Sequence, residues 1–341
     1  MKQVYSTLKI WYTFVGDKMK KVIIDGNNAN QRIDKFLVKY LPQAPKSFIY
    51  KMIRKKDVKV NNVKVNENYI LKLDDEISMF LYEDKFLEYA SKKDIYDLKP
   101  TFEVVYEDEN ILVVNKPIGL LIHEDKNESI HTLSNEVLSY LKSKGEYEDS
   151  LENTFVPGPV HRLDRNTSGL VIFGKTLMAL QCLNEMMKIR HCIDKSYLTI
   201  VKGKITKDQE LIDYVKKDEK EGKMKLVSAK TKEALKMQTM IHPIMYNQNY
   251  TLLEVHIITG RTHQIRVHMA SINCPVIGDS KYGDFELNKL IKKQYHLNHQ
   301  YLHAHKLKFI KPIGGLKYLK DLEIIAPLPK KLSLIKQEIF K

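Results

Sequence analysis

His161-Arg162-Leu163-Asp164-Arg165-Asn166-Thr167-Ser168-Gly169-Leu170-Val171-Ile172-Phe173 is the stretch from which the rest of the chain is best read. One carboxylate stands between two arginines. A polar turn follows, and then an apolar run of strand length. This is the layout of a reactive aspartate at a strand edge, held ionised by its neighbours. Opposite charge a few ångströms away favours the charged carboxylate, and only that form is a nucleophile or a base. The same string also fits a solvated surface turn in which Asp164 caps the next element through Thr167 or Ser168. A short motif alone does not separate the two.

Outward from this string, the composition narrows the classes. The chain has 341 residues, room for two or three domains, and a hydrophobic content of 43% supports a true core. No apolar stretch is long enough to span a bilayer, so no membrane partner is expected. Lys+Arg number 56 against 42 Asp+Glu, a formal net charge of +14. That excess points to a polyanionic partner, although a lysine-rich proteome produces the same bias. Three cysteines, Cys182, Cys192 and Cys274, form no Cys-x-x-Cys pair. This fits a reducing cytoplasm and argues against a thiolate zinc site. His263, His268, His303 and His305 have no carboxylate at ligand spacing, so no metal is expected.

Residues 1–18 carry a short apolar patch, Ile10–Val15, with no small-residue cleavage site after it. They are expected to be an extension outside the folded domains, with Met19-Lys20-Lys21 a second plausible start. Residues 19–82 form a compact module. Ile33, Phe36, Leu37 and Tyr40 have helical spacing, and Pro42 and Pro45 punctuate the loop that follows. Phe48, Ile49, Met52 and Ile53 then share one face of a helix over Lys46–Lys55. Two alternating strands flank Asn61-Asn62, a pair that tolerates positive φ, and read as a tight hairpin. Ile77–Leu81 is a closing strand. Lys46, Lys51, Arg54 and Lys55 on the helix and Lys59 on the hairpin are candidate RNA-binding residues. The segment resembles an S4-type RNA-binding domain. An ordinary amphipathic helix with a solvated lysine face is the alternative. Residues 83–100 are charged and are expected to link this module to the next domain.

From residue 101 to 341 strands alternate with longer helical stretches. Val104–Tyr106 and Ile111–Asn115 read as a hairpin, with Lys116-Pro117-Ile118-Gly119 the turn out of it. Ile130–Leu141 and Leu177–Ile189 have helical spacing, and Tyr197–Val201 and Leu252–Ile258 read as strands. The expected class is α+β with a central, mostly antiparallel mixed sheet. Besides the Asp164 string, two further sites stand out. Lys195-Ser196-Tyr197 puts an aromatic hydroxyl at the start of a strand. Thr259–His268 has Gly260 for a turn and then an amphipathic helix from about Thr262, with His263 and Arg266 three apart on one face. An ion pair from an arginine would keep Asp164 charged and aimed. Tyr197 offers a flat ring for a base and a hydroxyl for proton work.

Together with Lys116–Gly119 and Tyr301-Leu302-His303-Ala304-His305, these motifs resemble the RluA/RluC/RluD family of pseudouridine synthases from about Asn28 to about Pro327. The front module is most similar to the RluC-type members. Asn166 stands where the family often has Asp. The resemblance implies an S4 domain followed by a catalytic domain that converts uridine to pseudouridine without cofactor or metal. It implies that Asp164 is the catalytic carboxylate, that Tyr197 stacks on the uracil and is a candidate for proton abstraction, and that Arg266 pairs with Asp164. Arg162 would fill the gap left by the flipped nucleotide. Leu302 would wall the base, and Arg165 and His263 are further candidate substrate contacts. The implied partner is large-subunit (23S) ribosomal RNA or a ribosome-assembly intermediate, with transfer RNA a second substrate class. A monomer is expected, because nothing suggests a coiled coil or a swapped strand.

Three rivals remain at this stage. Gly169–Thr176 fits the phosphate-loop pattern Gly-x4-Gly-Lys-Thr, but four bulky apolar residues between the glycines make a strand, not a cradle of free amides. Ser168, His161 and Asp164 could form a hydrolase triad, though no Gly-x-Ser-x-Gly elbow frames Ser168. A non-catalytic RNA-binding or ribosome-assembly protein is the third, and the need for Asp164 discriminates it.

Overall fold

The computed structural model describes residues 19–91, 96–148 and 155–341. The N-terminal extension expected at 1–18 lies outside them. The chain divides into two compact units. One runs to Asp97 and includes Leu138–Pro157 and Thr176–Met178, and the other comprises Leu98–Val137, Gly158–Lys175 and Ala179–Lys341.

The first unit holds β1 (Met19–Ile23), α1 (Ile33–Tyr40), α2 (Lys46–Lys55), β2 (Val58–Val60), β3 (Val63–Lys64), β4 (Glu76–Phe80) and α3 (Glu83–Ala90). Its four strands are ordered β1-β4-β2-β3, all antiparallel. The expected helical faces are the buried ones: Ile33, Phe36, Leu37 and Tyr40 on α1, and Ile49, Met52 and Ile53 on α2. Lys56 adopts a left-handed conformation and ends α2, with Arg54 and Lys55 in the last turn where cations suit the helix dipole. Asn61 and Asn62 have φ of 49° and 64°, as a two-residue hairpin turn requires.

Two features depart from the sequence reading. Strand β1 was not legible, because Lys20 and Lys21 interrupt its apolar pattern. Lys20 is nevertheless buried, its ammonium 4.6 Å from the Phe86 ring centre. Residues 83–90 are not linker but helix α3. Phe86 and Ala90, four apart, are buried in this unit's core. So narrow an apolar stripe among charges looks like a solvated segment. The rest of the expected linker includes residues 92–95, which lie outside the described residues.

The second unit is built on an eleven-stranded sheet. Its strands and neighbouring helices are β5 (Glu103–Glu107), β6 (Ile111–Lys116), α4 (Leu133–Ser143, whose C-terminal half falls in the first unit), β7 (Gly158–Pro159), β8 (Ser168–Gly174), α5 (Leu177–Lys188), β9 (Ile193–Lys202), β10 (Gln209–Asp218), β11 (Lys223–Leu226), β12 (Leu235–Tyr246), β13 (Tyr250–Ile257), α6 (Gln264–Ser271), α7 (Phe285–Tyr295), β14 (Leu302–Phe309), β15 (Glu323–Ile325) and α8 (Lys330–Ile339). The order is β11-β10-β12-β13-β9-β14-β8-β6-β5, with β15 on β14 and β7 on β8. Among the described strands only β8 and β14 pair in parallel, so the sheet is mixed and mostly antiparallel, in line with the α+β reading.

Every residue of β8 is buried, which explains its unbroken apolar run. Leu170 and Ile172 share a core with Ile111, Val113, Leu307 and Phe309 from neighbouring strands, covered by Ala179, Leu183 and Met186 of α5. Each fully buried side chain of this size contributes roughly 1.5–3 kcal/mol. Gly169 makes the parallel pairing possible: its φ is +113°, and a Cβ there would collide with the Ala304 carbonyl oxygen.

Candidate active site

Asp164 lies in the loop between β7 and β8, closed by a turn in which Thr167 N donates to Asp164 O at 3.0 Å. A second turn braces it. Gly119 N donates to Arg165 O at 2.9 Å, and Arg165 Nε donates back to Gly119 O at 3.0 Å. Buried between the two turns is Lys116, whose ammonium donates to the carbonyls of Pro117 (2.8 Å), Leu120 (2.9 Å) and Arg165 (3.1 Å). Those three bonds use all three of its N–H groups. Burial pushes its pKa down to about 7, against the pull of the Asp164 charge.

The flanking arginines do not hold Asp164, contrary to the sequence expectation. Arg165 is committed to Gly119, and Arg162 is exposed at the cleft rim. The partner comes from α6: Arg266 Nη1 donates to Asp164 Oδ2 at 2.8 Å. Among the described residues Asp164 Oδ1 accepts no hydrogen bond, so one oxygen faces the cleft uncommitted. The rest of the Arg266 guanidinium is gripped by Asp279, with Nε to Oδ2 at 2.7 Å and Nη2 to Oδ1 at 2.8 Å. Burial opposes the charge on Arg266, but Asp279 and Asp164 together hold its pKa above the ordinary value. Burial likewise opposes the Asp279 charge, and the Arg266 bond with the amides of Lys281 and Tyr282 nonetheless holds its carboxyl below the usual range.

Helix α6 is not amphipathic. Gln264 through Met269 are all buried, because the helix lies within the unit rather than on it. His263 is not on its face either. It precedes the helix in a left-handed conformation, φ 55°. It reaches Asp164 all the same, with Nε2 3.8 Å from Oδ2. Its Nδ1 lies 2.9 Å from Tyr282 Oη, which accepts the Met224 N–H at 2.8 Å. Burial lowers the His263 pKa, with the Asp164 charge working against it.

Tyr197 is 7% exposed on β9, paired with Val255 and Ala304. Burial, then the nearby Asp164 charge, raises its phenol well above the ordinary value. It therefore stays protonated at neutral pH, which suits stacking and hydrogen-bond donation in the resting site. Leu302 opens β14 and is buried. Arg162, Asp164, Tyr197, His263, Arg266 and Leu302 all line one cleft of about 870 Å³. Lys116, Asp279 and Tyr282 were not singled out as functional residues from the sequence. The available signal was the string Gly278-Asp279-Ser280-Lys281-Tyr282-Gly283. Gly278 has φ +76°, and a Cβ there would meet the His299 carbonyl oxygen.

The rival chemistries lose their geometry. Ser168 Oγ meets His303 Nδ1 at 2.9 Å rather than His161, and His161 Nε2 accepts the Ile172 N–H at 3.2 Å. Gly169 to Gly174 belongs to a buried strand and offers no phosphate cradle. In the first unit, Lys46, Lys51, Arg54 and Lys55 are exposed on α2. Lys59 is set apart from them. It alternates with buried Val58 and Val60, so it points to the other side of its sheet, where its ammonium lies 5.4 Å from the Phe80 ring centre.

Comparison with known proteins agrees with both units. A family model described as RNA pseudouridylate synthase matches residues 110–271, and one described as S4 domain matches residues 31–77. The chain is 35% identical over 297 residues to an uncharacterised RNA pseudouridine synthase of Mycoplasma genitalium, covering 85% of this chain and 89% of that protein. It is 33% identical over 318 residues to ribosomal large subunit pseudouridine synthase C of Buchnera aphidicola subsp. Baizongia pistaciae, covering 89% and 92%. Among solved structures, human RNA pseudouridylate synthase domain containing 4 shares the fold, with TM-score 0.55 at 22% identity over 69% of this chain and 92% of that one.

Proposed function

The chain belongs to the RNA pseudouridylate synthase family, and on that premise we propose that it converts uridine to pseudouridine in large-subunit ribosomal RNA with Asp164 as the catalytic carboxylate. It is an RNA pseudouridine synthase with an S4 RNA-binding domain. The substrate class is inferred from relatives that carry the large-subunit name. The observation that carries the site assignment is Arg266 holding Asp164 Oδ2 in a cleft shared with Tyr197 and Leu302.

The reaction is an isomerisation. The N1–C1′ bond breaks, the uracil turns, and C5 bonds to C1′, while one proton leaves C5 and one arrives at N1. Atoms and electrons balance within the nucleotide, so no cofactor is required. The target base must first leave its stack, at a cost of a few kcal/mol. Arg162, exposed in the cleft lining, offsets part of that cost by entering the vacancy. Tyr197 and Leu302 receive the uracil. Asp164 Oδ1 acts at C1′, either by attack or by assisting loss of the base. Single-stranded loops are the favoured targets, since their bases are already splayed. No helix among the described residues is long and apolar enough to cross a membrane. A cytoplasmic monomer acting on ribosomal RNA or an assembly intermediate is the setting we infer.

Carbodiimide-dependent reverse-transcription stops in ribosomal and transfer RNA, from cells with and without the gene, test this reading. Loss of discrete stops in large-subunit RNA is expected. Loss confined to transfer RNA would overturn the substrate, and no change in either would count against the whole assignment.

A further inference from the structure

An arginine normally meets a carboxylate with two parallel N–H···O bonds. Arg266 does not meet Asp164 that way. Its two-pronged edge goes to Asp279, at 2.7 and 2.8 Å, and a single Nη1–H is left for Asp164, at 2.8 Å. Asp279 is completely buried and is itself fixed by the backbone amides of Lys281 (2.8 Å) and Tyr282 (3.1 Å). Its turn is pinned by Asn288, which donates to Asp279 O at 2.9 Å and accepts from Gly278 N at 2.7 Å. The Tyr282 ring lies 5.2 Å from the guanidinium carbon, closing the remaining side.

We propose that Asp279 is a positioning residue for the reaction: it occupies the two-pronged edge of Arg266 and shares its charge, so that Asp164 is aimed by one hydrogen bond while keeping a free oxygen and a net negative charge. This inference rests on Asp164 being the catalytic carboxylate. Two carboxylates around one guanidinium carry a net charge of −1. Without Asp279, Arg266 and Asp164 would form a neutral pair, and the freed edge of the guanidinium could tie up Oδ1 as well. The other polar groups around Asp164 do not replace Asp279. Lys116 is saturated by three carbonyls, His263 is neutral with its Nε2 3.8 Å away, and Tyr197 and Tyr282 are phenols.

The test compares Asp279→Asn, Arg266→Lys and the double variant, using a uridine-containing RNA substrate and a tritium-release or mapping assay. Asp279→Asn preserves shape and removes charge. Its kcat is expected to fall about 10–100-fold with KM within about twofold, the usual range for a residue that orients a reacting group. Arg266→Lys keeps the charge but cannot fork to both carboxylates, so it should fall to a similar kcat, and it decides the matter if Asp279→Asn does not fold. The double variant should be no worse than the poorer single one, within about threefold, because both break the same linkage. Wild-type kcat in either folded single variant overturns the proposal. So does a multiplicative loss in the double variant, or a loss that appears only in KM. Asp164→Asn run alongside separates the two readings. Turnover there removes the premise, whereas an inactive Asp164→Asn with a fully active Asp279→Asn removes only the role of Asp279.

Discussion

At His161 the ring nitrogen Nε2 accepts the Ile172 N–H, and burial with the nearby Lys195 charge pushes the ring's pKa down to about 3. His303 is similar. Its Nδ1 meets Ser168 Oγ, its Nε2 meets the Ala326 carbonyl, and burial takes it to about 4. An unfolded histidine titrates near pH 6.5. Between that value and the folded ones, the unfolded chain binds protons that the native chain refuses, so stability is present above about pH 6.5 and falls as pH drops toward 4. Between pH 6.5 and 4.5 each group accounts for at most about 3 kcal/mol. Melting temperature is expected to decline between pH 6.5 and 4.5, above most of the carboxylate range. His161→Gln, which keeps an acceptor for Ile172, should flatten the decline, and an unchanged slope would refute the assignment. The residues that line the cleft were legible in sequence: Asp164, Tyr197, Arg266 and His263 stand in strings whose residue types announce them. Their supports were not. Asp279 grips Arg266 across thirteen residues and Lys116 reaches Arg165 across forty-nine, and no local pattern encodes either contact. The Arg266–Asp164 pair implied by the resemblance is present, whereas local charge alone pointed to Arg162 and Arg165, which do not hold the carboxylate.

Elements were read where one face is strongly apolar. Helix α2 falls on the predicted residues, Lys46–Lys55, because its buried positions recur at three and four. Strands β10 and β12 were missed because they present few buried side chains, Val215 on one and Met237, Thr239 and Ile241 on the other, while apolar residues such as Ile212, Met240, Ile244 and Met245 are exposed, so apolar type does not mark the buried face. Helix α6 was read as amphipathic from its charges, yet those charges are buried in ion pairs and hydrogen bonds. Gly169 is the element-scale test. Its positive φ and its contact with the backbone of Ala304 leave no room for a side chain. Gly169→Ala is expected to separate β8 from β14 and to lower stability by at least about 3 kcal/mol, read as a large drop in melting temperature or loss of soluble protein. A variant melting within about 2 °C of wild type would show that the pairing tolerates what the geometry forbids.

The whole molecule carries a formal net charge of +14, and the cations exposed on α2 give part of it a definite place. Replacing Lys51, Arg54 and Lys55 with glutamine leaves the buried face of α2 intact. If these residues contact phosphate, the slope of log affinity against log salt should weaken by about 2, given roughly 0.7–0.9 per contact. KM should rise about tenfold or more while kcat at saturating RNA stays unchanged. An unaltered salt slope would remove α2 from the RNA interface. Domain order and class were legible from where strand-length and helix-length patterns change. The boundary was not, since α3 hides its two core residues among charges. The central claim, that Asp164 makes pseudouridine, is tested most directly by purified Asp164→Asn. Single-turnover formation of pseudouridine and RNA affinity should be measured on the same preparation. The account predicts affinity within about threefold of wild type and a rate reduced at least about 1,000-fold. Measurable turnover at a wild-type-like rate would contradict it, whatever the affinity.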